Sequence, residues 1–172
     1  MAEFKEKAVC GLGCTFCCTF MGNIDMTTLE GLIIRRRFKD FPKSLQVAIG
    51  NRLTDDGKNR NDGKQSPCPF LEEDGSCLIY DVRPFSCRKL YSLKKCDDGG
   101  PIVHRRFHEL AGEAIREIQR LDDTGYSGHH SYILYLLARP EFRRLYTANG
   151  FDPGMIRDYG RKHGIIINRW VK

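Results

Sequence analysis

Apolar residues recur at helical spacing in the first half of the chain. Those between 29 and 38 share one helical face, and Thr27 or Thr28 ahead of them provides a signal for a helix start. A second helix is predicted over 42–53, where apolar residues return every three or four positions. The next residues, 54–67, include a long polar run, so we expect an exposed loop there.

The second half of the chain gives the clearest helical pattern. Apolar residues form a nearly continuous stripe from Val103 to Leu121. A further helix is predicted over about 132–145, with an interruption at Pro140, and a short one after Asp152-Pro153. Three consecutive isoleucines at 165–167 indicate a strand or a contact with the core.

The segments between these helices lack such a period. Residues 1–24 are rich in Gly and Cys and indicate a loop with short turns. Residues 77–80 indicate a short strand, and Arg83-Pro84 indicates a turn or the start of a helix.

Length and composition are those of one ordinary domain. The chain has 172 residues, of which 41% are hydrophobic and 29% charged, with a mean hydropathy of -0.45. We predict a mainly α protein with short irregular β segments, forming a single domain over 1–172 in which a helical part, 101–172, packs on a cysteine region, 10–96. No run approaches the roughly 20 apolar residues of a membrane-spanning helix, so we expect a soluble protein with no membrane partner.

Cysteine is the unusual residue, because all eight copies lie between Cys10 and Cys96. An even number would suit four disulfides in a secreted domain, but residues 1–7 lead to Cys10 without an apolar export segment. We therefore expect a cytoplasmic protein with reduced thiols. Clustered thiols in a reducing compartment indicate metal binding or catalysis, because the thiolate is both a metal ligand and a nucleophile.

The net charge of +6 is spread over short basic runs such as Arg35-Arg36-Arg37. Aromatic residues do not interleave with these bases in a nucleic-acid signature, so we expect a solvated surface rather than a nucleic-acid partner. Part of the positive charge would neutralise an anionic thiolate site.

The first cysteine group is compact, with the pattern Cys10-x3-Cys14-x2-Cys17-Cys18. Spacings of two and three let a tight turn direct successive sulfurs at one metal. Adjacent side chains point to opposite sides of an extended segment. One of Cys17 and Cys18 is therefore expected to bind that metal, while the other serves a second metal or packs as a small apolar side chain.

The second group consists of Cys68, Cys77, Cys87 and Cys96, separated by gaps of eight to nine residues. Such gaps suit a loop that returns repeatedly to one site. Four basic residues stand among these cysteines, and their charge would favour thiolate over thiol while their N–H groups could donate to sulfur. They are Arg83, Arg88, Lys89 and Lys94.

Several motifs occur here together as they do in one known family. They are Cys-Cys near the N-terminus, Cys68-Pro-Phe-Leu, Cys77-x-Ile-Tyr and Arg83-Pro-x-x-Cys-Arg. Over roughly 10–87 the chain resembles the YkgJ-type cysteine-cluster proteins, the putative zinc- or iron-chelating domain family. The resemblance implies metal chelation by the cysteines and kinship with the flagellin lysine-N-methylase group.

The resemblance also implies a set of metal ligands. They are Cys10, Cys14, Cys17, Cys18, Cys68, Cys77 and Cys87. Cys96 lies outside the family motif and is a further candidate ligand, and the opening Cys-x3-Cys is one residue longer than the Cys-x2-Cys associated with the family. We expect the single domain to be organised around this metal centre.

Thiolate coordination suits either tetrahedral zinc or an iron–sulfur cluster. Eight thiolates would satisfy two zinc sites of four cysteines each, or one four-iron cluster with four cysteines left over. Only Cys14 and Cys17 have the Cys-x2-Cys spacing of a zinc knuckle, so iron–sulfur is favoured over zinc as the cofactor.

A second class of function remains open, an iron–sulfur enzyme that uses S-adenosylmethionine for methyl transfer or radical chemistry. The spacing Cys10-x3-Cys14-x-Phe-Cys17 is that of radical S-adenosylmethionine enzymes. Those enzymes resemble barrels of repeated strand and helix units, and no strand pattern precedes Cys10. We therefore expect a metal-chelating protein with a structural, regulatory or electron-transferring centre and keep the enzyme as the alternative.

The histidines are weaker candidates. His104 and His108 stand four apart and could bind a metal from one helix face, but the pattern favours a partly exposed pair. His129-His130 is predicted to cap or pack at a helix start, and His163 has no partner in sequence.

Overall fold

The computed structural model describes residues 3–11, 13–96 and 99–168. It is mainly helical, with 54% helix and 7% strand, which confirms the predicted fold class. The α-helices are α1 (Phe16–Phe20), α2 (Thr28–Phe38), α3 (Lys43–Asn61), α4 (Phe85–Arg88), α5 (Arg105–Leu121), α6 (His130–Ala138), α7 (Pro140–Thr147) and α8 (Arg157–His163). The strands are β1 (Asp25–Thr27), β2 (Tyr126–His129) and β3 (Ile166–Ile167), and 3-10 turns cover Glu3–Lys5, Tyr80–Val82 and Pro153–Met155.

The three strands form a small antiparallel sheet in the order β1-β2-β3. Met26 lies opposite Gly128, and Ser127 lies opposite Ile166. A Cβ at Gly128 would come within 2.5 Å of the end of the Ile165 side chain, so a larger residue here would displace that side chain. The sheet brings the start of α6 next to the loop that follows α1.

Helix α6 lies at the centre of the main hydrophobic core. Seven of its nine residues are buried, and Tyr135 and the terminal Ala138 are exposed. It packs against α2, α3 and α7, with Ile133 and Leu137 fully enclosed. Cys68 and Cys77 also pack against this core, so part of the cysteine region rests directly on it.

A second, smaller hydrophobic cluster holds the N-terminal segment against α5. Its buried members are Tyr91, Phe107 and Ala111, and the Tyr91 and Phe107 rings meet edge to face at 4.8 Å. Phe4 packs on Phe107 from the N-terminal side. The two ends of the cysteine region, near residues 10 and 96, are therefore held together by apolar contacts.

The start of α2 has the predicted capping signal. Thr27 Oγ1 accepts a hydrogen bond from the Glu30 N–H at 3.3 Å, and Glu30 Oε2 accepts one from the Thr27 N–H at 2.9 Å. The next threonine, Thr28, donates at 2.7 Å to the buried carboxylate of Asp122, which also accepts from Tyr146 at 2.5 Å. This carboxylate joins α2, the end of α5 and α7.

Three predictions about local structure are wrong. Helix α3 continues to Asn61, through most of the stretch predicted as a loop, because Asp56 and Arg60 pair one turn apart on its inner side. The segment 77–80 forms no strand, only an isolated bridge of Cys77 with Leu71, before a 3-10 turn. The predicted N-terminal loop contains α1, so its adjacent cysteines are helical rather than extended.

The remaining helix predictions are confirmed. The stripe that begins at Val103 becomes α5, and the interruption at Pro140 separates α6 from α7. A short helix, α8, follows Asp152-Pro153, and β3 occupies part of the isoleucine tail. Within the described part of the chain, no helix combines the length and apolar character needed to cross a bilayer.

Candidate metal centre

The eight cysteines are free thiols, and their electrostatic interactions group them into two sets of four that meet at Cys18, which also interacts with Cys14 and Cys17. The first thiol set is Cys10, Cys14, Cys17 and Cys96. The second thiol set is Cys18, Cys68, Cys77 and Cys87. The two thiol sets therefore differ from the two groups of cysteines in the sequence. Cys18 belongs to the second set although it is adjacent to Cys17, and Cys96 belongs to the first set although it follows Cys87.

The first thiol set has two exposed and two half-buried members. Cys10 and Cys14 are exposed and share a hydrogen bond between their side chains. Cys17 comes from α1, and Cys96 interacts electrostatically with both Cys10 and Cys17. Three separate pieces of backbone, the N-terminal loop, α1 and the segment ending at residue 96, therefore contribute to this set.

Buried Ser92 positions Cys10 within the first thiol set. Its main-chain N–H donates to the Cys10 sulfur at 3.2 Å, and its carbonyl accepts from the Val9 N–H at 2.9 Å. Its hydroxyl oxygen accepts from the Ile102 N–H at 2.9 Å. The hydrogen bond to sulfur stabilises a thiolate, so a residue without metal-binding chemistry of its own prepares Cys10 as a ligand.

The second thiol set is more deeply placed. The main-chain N–H of Cys68 donates to the carbonyl of Cys18 at 2.7 Å, which joins α1 to the loop after α3. The isolated bridge between Cys77 and Leu71 folds that loop back on itself. Cys87 follows on α4 and interacts electrostatically with the other three thiols of the set.

Two cysteines of the second set accept hydrogen bonds from the backbone two residues further on. The Phe70 N–H donates to Cys68, and the Ile79 N–H donates to Cys77. Both bonds lower the pKa of the thiol that accepts them, which opposes the larger effect of burial. Tight turns of this kind direct backbone N–H groups at the sulfur and stabilise it as a thiolate.

Glu30 fixes the position of the helix that carries Cys87. One of its carboxylate oxygens completes the cap of α2, and the other accepts from the Phe85 N–H at 2.7 Å, at the start of α4. A single side chain therefore ties the N-terminal ends of α2 and α4 together. The effect on the site is indirect, since Glu30 contributes no sulfur and orients the turn that holds Cys87.

Arg83 supplies positive charge to the second thiol set. It lowers the pKa of Cys18, Cys77 and Cys87, in each case against a larger rise caused by burial. Its guanidinium group lies over the Tyr80 ring at 3.6 Å from the centroid, which holds it at the edge of the site. The prediction that basic residues favour the thiolates thus applies to Arg83.

Two other basic residues of this segment make different contacts. Arg88 donates to the carbonyls of Arg83 and Asp81, at 2.9 and 2.7 Å, and so orders the turn that presents Arg83. Lys89 interacts electrostatically with Asp25. Burial raises the pKa of Asp25, and the charge of Lys89 opposes part of that rise.

Burial raises the pKa of the inner thiols well above neutrality. The pKa of Cys17 rises to about 11 and that of Cys68 to about 12, with burial as the largest cause and neighbouring thiolates as a further one. The pKa of Cys87 is raised for the same reasons. A thiol in this environment holds its proton at neutral pH unless a cation replaces that proton.

The donor set fits a soft metal centre. Each thiol set offers four sulfurs, which is the ligand number of tetrahedral zinc and of common iron–sulfur clusters. No three sulfurs among the described residues, which include every cysteine, lie within 4.8 Å of one another. Tetrahedral zinc would bring its four sulfurs to within about 3.8 Å of one another. Sulfurs bound to the separate irons of a cluster stand farther apart.

A different group of potential metal ligands was not found from the sequence. Asp56, His129 and His130 are all buried, and one donor atom of each lies within 4.8 Å of the others. The predicted capping role is also present, because His129 Nδ1 accepts from the Ser131 N–H at 3.4 Å at the start of α6. The adjacent histidines His129 and His130 are recognisable in the sequence. Asp56 was not identified, because it lies in a polar stretch that was predicted to be a loop.

The remaining histidines are separate from the cysteines. His104 is exposed, caps α5 and packs against Phe4. His163 packs between the rings of Tyr132 and Tyr159, with centroid distances of 4.0 and 4.2 Å. These contacts are those of structural side chains.

Two small cavities flank the helix that carries Cys87. A cavity of about 120 Å³ is lined by residues that include Phe85, Lys89 and Ile118. Another, of about 280 Å³, is lined in part by Lys89 and Phe107. Both are smaller than the roughly 300–1,000 Å³ of sites that enclose a small-molecule ligand.

Comparison with known proteins identifies one family. The model of the putative zinc- or iron-chelating domain, CxxCxxCC, matches residues 9–110, a stretch that contains all eight cysteines. Searches of curated proteins and of solved structures found no significant match. The match covers more than half of the chain and agrees with the resemblance read from its motifs, so the chain belongs to the putative zinc- or iron-chelating domain family.

Proposed function

We propose that this metal-chelating chain binds two metal centres, one in each thiol set, and that both are iron–sulfur clusters. The division of the thiols into two sets of four is the observation that carries the proposal. Four thiolates complete the protein ligation of one cluster, so neither set requires a further ligand. All eight cysteines then have a role, including Cys96.

The spacing of the cysteines along the chain supports iron over zinc. Only Cys14 and Cys17 have the Cys-x2-Cys spacing of a zinc knuckle. A cluster fills more of the space between the sulfurs and accepts thiolates from several directions.

The centres would also stabilise the fold. Each thiol set connects segments with little regular structure of their own, namely the N-terminal loop, the loop after α3 and the residues around α4. In such regions the free energy of metal binding contributes directly to folding. We propose that chelation is the main activity, since the cavities beside Cys87 measure only about 120 and 280 Å³ and ligand pockets are usually larger.

Anaerobic purification with analysis of iron, acid-labile sulfide and zinc tests the proposal. We expect a brown protein that contains iron and sulfide in equal amounts, and we expect both to fall by half in Cys18→Ser. Electron paramagnetic resonance after reduction should then show signals from the two clusters in the wild type and from one in the variant. A colourless protein with two zinc ions per chain would contradict the assignment to iron while preserving the two sites.

A further inference from the structure

A buried group of nitrogen and oxygen donors lies beside the second thiol set. Asp56 comes from α3, His129 from the end of β2 and His130 from the start of α6. Their exposures are 3%, 6% and 3%, and one donor atom of each lies within 4.8 Å of the others. Side chains of this kind are rarely so deeply buried unless they are paired or bound to a metal.

The two oxygens of the Asp56 carboxylate differ in their contacts. Its Oδ2 atom accepts from Ser131 Oγ at 2.5 Å and from Arg60 Nε at 3.1 Å. Its Oδ1 atom is buried and has no hydrogen-bond partner among the described residues. Leaving a buried carboxylate oxygen unpaired is unfavourable, so the arrangement points to a ligand that contacts Oδ1.

His129 has the hydrogen-bond pattern of a metal ligand. Its Nε2 atom lies 2.9 Å from the carbonyl oxygen of Gly22, which can only accept, so Nε2 carries the ring hydrogen. Nδ1 then carries the lone pair, which accepts from the Ser131 N–H at 3.4 Å and lies 3.7 Å from Asp56 Oδ2, so a bound metal would replace the long hydrogen bond from Ser131. Metal-binding histidines commonly donate their other N–H to a backbone carbonyl in this way.

Ser131 connects the remaining donors. It lies 3.0 Å from His130 Nδ1 through the same hydroxyl that donates to Asp56. The His129 and His130 rings are 4.1 Å apart between centroids. Serine thus fixes one imidazole relative to the carboxylate, which reduces the reorganisation needed to bind an ion.

The charge around the group can accommodate a cation. Arg60 already pairs with Asp56, so a divalent ion would add positive charge to a buried region. The second thiol set lies next to it, with the Cys68 sulfur 4.0 Å from His130 Nε2. Thiolates formed when that set binds its own centre would offset the added charge.

We infer that Asp56, His129 and His130 form a further metal site, which takes a divalent first-row transition metal such as Fe²⁺, Co²⁺ or Zn²⁺. Two imidazole nitrogens and one carboxylate oxygen are borderline to hard donors, unlike the soft thiolates of the neighbouring sets. The site therefore differs from the thiol centres in the ligands that an experiment would detect.

Metal stoichiometry and ligand identity test the inference with Co²⁺ as the probe. The purified wild type is incubated anaerobically with Co²⁺, and bound metal is counted by elemental analysis. We expect Asp56→Asn and His129→Gln each to hold one Co²⁺ fewer than the wild type. Ser131→Ala should bind the same ion about 10- to 100-fold more weakly, because only an orienting contact is lost.

His163→Gln is the matched control, because it removes a packed histidine outside the group and should leave the Co²⁺ count unchanged. Circular dichroism verifies that each variant is folded. Folded Asp56→Asn and His129→Gln variants with the wild-type count would overturn the inference. X-ray absorption of wild-type protein bound to Co²⁺ gives an answer that needs no variant: imidazole nitrogen around a fraction of the cobalt supports the site, and sulfur alone rejects it.

Discussion

Cys17 and Cys18 are adjacent on α1, yet their thiols belong to different sets. Among the thiols, Cys17 interacts most strongly with Cys96 and then Cys10, whereas Cys18 interacts most strongly with Cys77. Weaker interactions of Cys18 with Cys14 and Cys17 connect the two sets. Neighbouring residues on a helix point about 100° apart, so one turn can direct two sulfurs to two places. Helix α1 therefore contributes one cysteine to each candidate centre, and these two cysteines are joined by a single peptide bond.

Because Cys17 and Cys18 belong to different sets, we expect their substitutions to remove different metal centres. We expect Cys17→Ser to remove the metal of the first thiol set and Cys18→Ser that of the second, because each substitution deletes one of four ligands. Total metal should fall by half in either variant and almost completely in the double variant. Elemental analysis measures the totals, and nearly complete loss in either single variant would instead indicate one shared centre.

Glu30 should influence the second thiol set without binding metal. Glu30→Ala removes the capping box of α2 and the acceptor for the Phe85 N–H, so we expect the free energy of unfolding to fall by about 2 kcal/mol. Metal in the second set should bind more weakly because α4 loses its anchor. Chemical denaturation and metal competition measure the two effects.

Glu109→Ala is the control for Glu30→Ala. Glu109 pairs with exposed arginines on α5, and loss of such pairs should change the free energy of unfolding by less than about 0.5 kcal/mol. If both variants behaved alike, the contact between Glu30 and the start of α4 would have no specific role.

The contrast between Glu30 and Asp56 shows what the sequence could reveal. The threonine and glutamate before α2 form a local signal, so the helix start could be predicted. The second contact of Glu30, with residue 85, joins positions 55 residues apart and has no local signature. Asp56 was hidden for a related reason: its partners come from β2 and α6, and a polar stretch seen alone resembles a loop.

The cysteines illustrate the same limit within the candidate site. Their residue type and clustering were enough to indicate metal binding and the family. Their division into two sets was not predictable from spacing, because Cys96 is brought to Cys10 by the backbone pairing around Ser92 and by the apolar cluster below it. Strands β1 and β2 were not predicted because β1 has only three residues and the four residues of β2 are all buried, so neither shows an alternating pattern.

Arg83 should strengthen metal binding at the second set alone. Its charge lowers the pKa of three thiols, so Arg83→Gln should weaken metal binding there by about tenfold, equivalent to about 1.4 kcal/mol. Competition with a chelator measures the affinity. Arg105→Gln, which alters an exposed arginine on α5, should have no effect, and an equal loss at the first set would contradict a local role for Arg83.

Stability of the reduced, metal-free chain should fall at alkaline pH. Burial raises the pKa of Cys17 to about 11 and of Cys68 to about 12 from 9.0, so the folded chain binds more protons than the unfolded chain above pH 9. The stabilisation from these protonated thiols is complete below about pH 9 and is lost as pH rises towards 12. Thermal melts across this window measure the loss.

The metal-loaded protein should show the opposite pH dependence, with stability that increases with pH near neutrality. Each bound thiolate has released a proton, so metal affinity and the melting temperature of the loaded protein should rise from pH 6 to 8. Proton release can be measured by calorimetry in buffers of different ionisation enthalpy. A metal affinity independent of pH would contradict coordination by these protonated thiols.

Substitution of Cys96 best distinguishes a chain with one metal centre from a chain with two. It interacts electrostatically with Cys10 and Cys17, whereas Cys87 interacts with the second set, so Cys96→Ser and Cys87→Ser should remove different centres. We expect Cys87→Ser to lower metal content and melting temperature together, because its set rests on the main core through Cys68 and Cys77. Cys96→Ser should lower metal content with a smaller change in melting temperature, since two thiols of the first set are exposed and the thiols that pack on the main core belong to the second set. Elemental analysis and thermal melts on the two variants, with the double variant for comparison, measure the effects. Full metal content in Cys96→Ser would exclude Cys96 as a ligand and leave the first set with three thiolates.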